Sequence, residues 1–367
     1  MFSFFKRFKK KGVEKMKLKD ITDHHLIDVD KAEYQRIENS KKFYSGNLDN
    51  ITFINSNGER AVRPYYSINM LKVIASNLAS IIFNEQCNIT VTNHDGSDDY
   101  QNFIDSVFDD NGFYKNFERY LESFIALGGL VIRPYVDNGK IKLSCVTADH
   151  IYALKSNTNN VTGIAIPSYS KVTEKGITKY YTLLEFHYWE NDNYVLKNEL
   201  YVSEDASFLG ERVNLSERYE DLEDEYIFYD KKKPLYVFLR SPKMNNKNMN
   251  SPLGLGICDN AIDTLKQIND VFDQFNREIK MGKRRVVISD HFLKPVASFN
   301  DNAPPVRKFD PDDDVFVALR FDKDDMTLKD ITTDIRTEEY TQALNTAMRT
   351  LETQVDLSAG TFSFDPQ

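Results

Sequence analysis

The chain has 367 residues and a formal net charge of −9, with 41% apolar residues and many Tyr and Phe. This length allows two or three domains with sizeable cores, and the composition is that of a folded protein. The acidic balance argues against a protein that coats nucleic acid through simple charge attraction. No run of about 18 apolar residues occurs, so we expect no membrane span. The cysteines Cys87, Cys145 and Cys258 lie far apart without CxxC spacing, which favours buried free thiols in a reducing compartment.

Residues 1–40 are predicted to form a basic N-terminal arm. Lysines and arginines crowd its first half, where Phe2, Phe4, Phe5 and Phe8 interleave with them. Such an arm suits an anionic surface, nucleic acid or a groove on a partner, and a solvated terminus explains the same pattern. The start also lacks the apolar segment of a secretory signal.

Residues 41–249 are predicted to form a mixed domain, which makes the fold class α+β. Apolar residues at helical spacing continue to Leu127, where Gly128-Gly129 stops the pattern. The predicted helices of this part of the chain are Lys31–Ser45, Tyr66–Phe83 and Asp98–Leu127, the last broken near Asn111-Gly112.

The second half of this domain changes from helical to strand periodicity. A short strand is already expected at Asn88–Asn93, and Asn138-Gly139 is a strong hairpin signal between two later strands. The later predicted strands are Val131–Tyr135, Lys140–Val146, Gly163–Tyr169, Thr178–Tyr188, Asn193–Val202 and Leu235–Leu239. Strands joined by short turns favour an antiparallel sheet.

Residues 250–283 are predicted to form one long helix that begins at Ser251-Pro252, a capping residue followed by a first-turn proline. One side carries an apolar stripe that includes Leu265, Ile268, Phe272 and Phe275. The opposite side carries the charged residues Asp263, Lys266, Asp270, Asp273 and Arg277, with Lys266/Asp270 and Asp273/Arg277 at i,i+4 spacing. A helix of this length and charge needs neighbours to bury its apolar stripe.

Residues 284–332 are predicted to form a small β-containing insert, with strands at Arg285–Ser289 and Asp314–Phe321. Residues 333–367 then contain a returning helix over Arg336–Gln354 and the start of a further loop. Two helices that bracket a compact insert resemble a stalk with a tip. That shape suits one subunit of a ring, in which neighbouring copies bury what a lone stalk exposes.

Catalytic motifs are absent from the sequence. The histidines form no metal-binding pair, and no nucleophile elbow or phosphate-binding loop occurs. The best metal candidate is the cluster Asp310, Asp312 and Asp314, which a Mg²⁺-dependent nuclease would use for phosphodiester hydrolysis. An EF-hand loop opening at Asp310 would need Gly and Glu where Val315 and Phe321 stand. We therefore expect no enzyme, no metal and no cofactor.

Three segments, in the right order, resemble the portal proteins of tailed bacteriophages, most closely those of long-tailed phages of Gram-positive hosts. These segments are ALGGLVIRPYVD at 126–137, SPLGLGICDNAIDTLKQINDVFDQFNREIK at 251–280 and RTEEYTQALNTAMRTLETQVDLSAGTFSFD at 336–365. The resemblance implies a wing at 41–249, a stem helix at 250–283, a clip at 284–332 and a second stem helix from 333. Because such portals continue into a tunnel loop and a helical crown, we expect the crown to be absent or the chain truncated after Gln367.

By the same resemblance, the chain forms a ring, usually a dodecamer, at one vertex of the capsid in the virion, after assembly in the host cytoplasm. The resemblance also implies that double-stranded DNA passes through the channel of this ring, without sequence specificity, during packaging and ejection. The implied partners are the terminase large subunit, a head-completion or adaptor protein, and the major capsid and scaffolding proteins. The alternatives are the metal-dependent phage nuclease and a non-portal virion adaptor that binds one partner through the stalk.

The resemblance also assigns roles to individual residues. The charged side of the stem becomes the candidate channel surface, where Asp263, Asp270 and Asp273 would repel DNA phosphates and Lys266 and Arg277 would temper that repulsion. The apolar stripe becomes the candidate contact between subunits, through Leu265, Ile268, Phe272 and Phe275. The candidate docking residues of the clip are Lys294, Pro304, Pro305, Arg307 and Asp312.

Overall fold

The computed structural model describes most of the chain, in two units. The described residues are 17–55, 58–84, 86–91, 99–154, 160–174, 176–282, 286–289, 316–319, 329–330 and 334–362. The first unit comprises Met1–Asn47 and Asn69–Ile262, and the second comprises Leu48–Ile68 and Asp263–Gln367. Among the described helices, none has the length and apolar character needed to cross a bilayer.

Four α-helices belong to the described part of the first unit. They are α1 (Lys31–Ser45), α2 (Met70–Ile82), α3 (Asp99–Asn111) and α4 (Phe113–Leu127). The bounds of α1 confirm the prediction, because the Asp30 side chain accepts the Ala32 N–H at its start and Gly46 ends it in the left-handed region. Gly112 and Gly128 also have positive φ, which explains the predicted break and stop. The prediction of a strand at Asn88–Asn93 is wrong for residues 88–91, which form no strand.

Two sheets complete the described part of the first unit. The larger has the order β1-β10-β9-β8-β7-β6, with β11 also on β9, and the smaller has the order β12-β4-β5. Their strands are β1 (Lys17–Leu18), β4 (Gly129–Asp137), β5 (Lys140–Thr147), β6 (Tyr152–Ala153), β7 (Ile164–Glu174), β8 (Ile177–Glu190), β9 (Asn193–Ser203), β10 (Gly210–Val213), β11 (Glu225–Phe228) and β12 (Val237–Arg240). Neighbouring strands within these sheets are antiparallel. The Asn138-Gly139 hairpin joins β4 to β5, as predicted.

The predicted basic arm is too long. Lys17–Leu18 pairs with β10, and Ile21, Ile27 and Ile37 are buried in the first unit. Residues from 17 onward are therefore part of the folded unit, because these apolar side chains pack into its core. The four phenylalanines of the arm lie outside the described residues.

Cys258 is buried as expected, whereas Cys87 and Cys145 are partly exposed, and all three thiols are free.

The described part of the second unit contains a hairpin, two long helices and a small sheet. Its elements are β2 (Ile51–Ile54), β3 (Arg60–Arg63), α5 (Ile262–Met281), β13 (Val286–Ser289), β14 (Phe316–Leu319), β15 (Lys329–Asp330) and α6 (Thr337–Gln354). Strand β13 lies between β14, to which it is parallel, and β15, to which it is antiparallel. The chain thus has both helices and sheets in each unit, and its fold class is α+β as predicted.

The long helix begins at Ile262 and not at Ser251. An added Cβ at Gly254 would lie 2.3 Å from the carbonyl oxygen of Gly128, and one at Gly256 would lie 2.1 Å from that of Ala126. The Ile257 N–H also donates to the carbonyl oxygen of Ile125. These backbone contacts explain why Ser251–Ala261 forms a loop: its glycines must approach the end of α4 more closely than any side chain permits.

Candidate functional site

The exposed side of α5 is a stripe of alternating charge. Asp263, Lys266, Asp270 and Arg277 follow one another at helical spacing and are all exposed. The Lys266 Nζ lies 3.4 Å from Asp263 Oδ1 and does not form the i,i+4 pair with Asp270 that the sequence predicts. The Asp270 carboxylate instead accepts a hydrogen bond from the Tyr65 hydroxyl at 2.6 Å. Two carboxylates and two cations give this stripe a formal charge of zero.

Asp273 does not lie on that stripe, which corrects its predicted role in repelling DNA. Its carboxylate is buried and accepts two hydrogen bonds from the Arg63 guanidinium, at 2.7 and 2.6 Å, and one from the Tyr66 N–H at 3.2 Å. The Arg63 guanidinium, with this N–H, lowers the pKa of the Asp273 carboxyl. A carboxylate held in this way positions the helix instead of facing solvent.

The segment after β3 fastens to α5 at further points. The Ile68 N–H donates to Asn269 Oδ1 at 2.9 Å, and Lys280 donates to the Tyr66 hydroxyl at 2.6 Å. These contacts explain why Leu48–Ile68, assigned to the wing from the sequence, clusters with α5 in the second unit. Sequence reasoning missed this segment, since no local pattern links residues more than 200 positions apart.

The apolar stripe of α5 is only partly available to a neighbouring subunit. Leu265 and Ile268 are 2% and 0% exposed within a single subunit, so their predicted role between subunits is wrong. Phe275 is half-buried, and its ring centroid lies 5.4 Å from that of Tyr340 on α6. Phe272 is also half-buried and stays a candidate for contact with a second copy.

Helices α5 and α6 are antiparallel and are joined near both ends. At one end, the Arg336 guanidinium donates to the Glu278 carboxylate at 2.8 Å, and this pairing lowers the pKa of Glu278 to about 2. At the other end, the Thr264 hydroxyl donates to Gln354 Oε1 at 2.7 Å. The pairing orients α6 along α5, as expected for a helix that returns along the one before it.

Glu352 fixes the chain where it leaves α6. Its side chain is fully buried and accepts the N–H of Gly360 at 2.6 Å and that of Phe362 at 2.5 Å. One carboxylate therefore closes the turn that follows the helix. Nothing in the sequence singled this residue out, because a lone glutamate on a helix looks like a solvated one.

Replacing Glu352 with Gln is expected to speed hydrogen exchange at the Gly360 and Phe362 amides about tenfold. The amide group of Gln turns one acceptor into a donor, which opposes an N–H and weakens the turn by about 1.4 kcal/mol. Exchange measured by NMR or mass spectrometry checks this. Glu339→Gln at the exposed start of α6 is the matched control, and equal protection in both variants would contradict the role of Glu352.

A second set of polar contacts secures the Ser251–Ala261 loop within the first unit. The buried Asp259 carboxylate pairs with Arg36 of α1 and accepts the Ser40 hydroxyl at 2.5 Å and the Gly256 N–H at 2.8 Å. Arg36 also donates to the Gly254 carbonyl oxygen at 2.9 Å. Burial raises the pKa of Asp259, and Arg36 and Ser40 oppose that shift. The loop that precedes α5 is thereby held against α1.

The remaining predicted site residues belong to the segment 284–332. Lys294, Pro304, Pro305, Arg307 and Asp312 of the clip lie outside the described residues, as does the whole Asp310–Asp314 cluster. Within the described part of the chain, no group of three or more His, Cys, Asp or Glu side chains is arranged to hold a metal ion. The docking role of the clip stays a prediction.

Comparison with known protein families gives a match over nearly the whole chain. Residues 23–366 match the family described as phage portal protein, SPP1 Gp6-like. A search of curated proteins gave no match. Portal proteins are structural and not enzymes, so the prediction of a non-enzymatic protein is confirmed, and neither the nuclease nor the adaptor alternative gains support. The chain belongs to the SPP1 Gp6-like family of phage portal proteins, a membership that implies an oligomeric ring associated with DNA at a vertex of the capsid.

Proposed function

We propose that the exposed stripe of α5, formed by Asp263, Lys266, Asp270 and Arg277, lines the channel of a twelve-subunit ring through which double-stranded DNA is packaged and ejected. The observation that carries the proposal is the zero formal charge of this stripe on a helix held in place by Arg63 and Asp273. Channel-lining side chains need a fixed position and a surface to which DNA does not adhere.

The physics of phosphate binding supports a neutral stripe. A protein that neutralises many phosphates releases counterions and holds DNA with an affinity that grows with each contact. On α5, Asp263 lies 3.4 Å from Lys266 and so offsets its attraction for a phosphate. Asp270 and Arg277 balance in the same way at longer range. Around a ring, such a surface gives weak, non-sequence-specific contacts that let the duplex slide.

The further partners belong to the same proposal. The segment 284–332 would dock the terminase large subunit during packaging and a head-completion or adaptor protein afterwards. The described part of this segment is a small three-stranded sheet, and a compact sheet suits a docking tip. The major capsid and scaffolding proteins would contact the outer part of the ring during assembly in the host cytoplasm.

The test is DNA retention by assembled rings of the double variant Asp263→Asn/Asp270→Asn. Each subunit loses two negative charges while Lys266 and Arg277 remain, so we expect retention of a linear duplex to rise about tenfold at low salt and to fall back at high salt. Glu174→Gln/Glu190→Gln, which changes two exposed carboxylates of the first unit, is the matched control. Equal retention by both variants at low salt would rule out the channel role of the stripe, and imaging of the same rings counts the subunits.

A further inference from the structure

We propose that the first unit binds an extended, acidic segment of a partner protein as an added strand along the outer edge of β12. A groove with a volume of about 600 Å³ runs beside this strand. Its lining residues are Asn160, Val161, Thr162, Trp189, Lys233, Pro234, Tyr236, Val237, Phe238 and Arg240. The groove shares no residue with the α5 stripe, and the proposed channel function makes no use of it.

The charge of the groove has the opposite sign to the net charge of the protein. The protein carries a net charge of −9, yet the charged residues among the groove's described lining are Lys233 and Arg240, both cations. Lys233 is exposed and follows two further lysines, Lys231 and Lys232. A cationic groove on an acidic protein favours a negatively charged occupant and steers its approach.

The backbone of β12 explains why the occupant should be an extended peptide. In the described part of the chain, β12 pairs with β4 alone and is an edge strand of its sheet. The Ser241 N–H donates to the Gly128 carbonyl oxygen, which fixes the phase of the antiparallel ladder. Because these groups alternate along a strand, the backbone N–H and C=O of Leu239 point toward β4, and those of Phe238 point to the outer edge. An added strand pairs with these groups.

The side chains along the groove suit the alternating residues of such a strand. Val237 is 58% exposed, an unusual position for an apolar side chain on a free edge. Trp189 and Phe238 are half-buried and line the groove, so they offer apolar surface to every second side chain of the occupant. Acidic side chains at the alternate positions of the occupant would pair with Lys233. A DNA duplex does not present the alternating N–H and C=O groups that continue a strand ladder, so the geometry favours a peptide.

Trp189 makes the proposal directly measurable, because the chain has one tryptophan. Assembled protein is titrated with a short synthetic peptide of alternating Glu and Val while the emission of Trp189 is followed. We expect a saturable change in emission. A peptide with Pro in place of Val lacks every second backbone N–H and cannot form a continuous ladder with the edge, so we expect it to bind at least about tenfold more weakly.

Two charge-reversal variants complete the test. Lys233→Glu is expected to weaken binding of the Glu–Val peptide about tenfold, whereas Lys179→Glu, an exposed lysine of β8 outside the groove, should bind like the parent. The absence of a saturable change up to about 1 mM peptide would overturn the proposal. So would equal binding of the Pro-containing peptide, or a stronger response to duplex DNA. A change in Trp189 emission that follows ring assembly without peptide would instead assign the groove to a second copy of the chain.

Discussion

Replacing Asp259 with Ala is expected to lower the free energy of unfolding of the first unit by about 4 kcal/mol. The substitution removes the acceptor of the Arg36 guanidinium, of the buried Ser40 hydroxyl and of the Gly256 N–H. The Ser40 hydroxyl and the Gly256 N–H would lose this acceptor, and Arg36 would keep only its contacts with Glu33 and the Gly254 carbonyl oxygen. Water is largely excluded from the site, so that loss is costly. Denaturant unfolding followed by the emission of Trp189 measures the effect, since Trp189 lies in the same unit.

Two companion variants separate the charge from the packing. Asp259→Asn keeps the size of the side chain and one acceptor, so we expect it to cost about half as much as Asp259→Ala. Asp205→Asn, on an exposed turn of the same unit, is the matched control and should change stability by less than about 0.5 kcal/mol. If Asp259→Ala were as mild as Asp205→Asn, the Asp259 contacts would not secure the loop before α5.

Local chemistry made part of this fold predictable. Helix α1 has the bounds that the sequence predicts because its capping residue and its terminal glycine are both local signals. The hairpin between β4 and β5 was predictable for the same reason, since Asn138 and Gly139 adopt the positive φ values that its turn requires. The long antiparallel strands followed from their apolar alternation, which reports a half-buried sheet surface.

The start of α5 was not predictable in this way. Ser251-Pro252 is a good helix start by local rules, and apolar residues follow at helical spacing. The loop forms because Gly254 and Gly256 pack against the backbone at Ala126 and Gly128. Such a contact joins residues far apart in sequence, and a single sequence carries no local signal for it. Two of the three segments that resemble portal proteins, 126–137 and the start of 251–280, thus meet in space within the first unit.

The candidate site shows the same division. Asp263, Lys266, Asp270 and Arg277 were correctly predicted to be exposed, because their spacing on one side of a helix determines it. Asp273 follows the same helical spacing as these residues, yet its carboxylate is buried against Arg63, which lies 210 residues away in the sequence. Burial of a charge depends on whether a counter-charge arrives from elsewhere, and periodicity alone cannot reveal that.

Replacing Arg63 with Met is expected to destabilise the second unit by about 3 kcal/mol, because it leaves the buried Asp273 carboxylate without its guanidinium partner. Hydrogen exchange of the α5 amides is the measurement, since the single tryptophan lies in the first unit. Protection should fall along the middle of α5, where Asp273 accepts hydrogen bonds from Arg63 and where Asn269 and Asp270 accept them from the segment after β3. Asp263→Asn, at a fully exposed position of the same helix, is the control.

The same pair predicts a dependence on pH with a definite sign. Arg63 lowers the pKa of Asp273 in the folded protein, so the carboxylate stabilises the second unit at pH values above its unfolded pKa of about 3.9. That contribution is lost as the pH falls through the lowered folded pKa. The difference in α5 stability between the parent and Asp273→Asn should therefore be largest near neutral pH and shrink in acid. If the difference in α5 stability stayed constant from neutral pH to about pH 2, Asp273 would act through packing and not through its ion pair with Arg63.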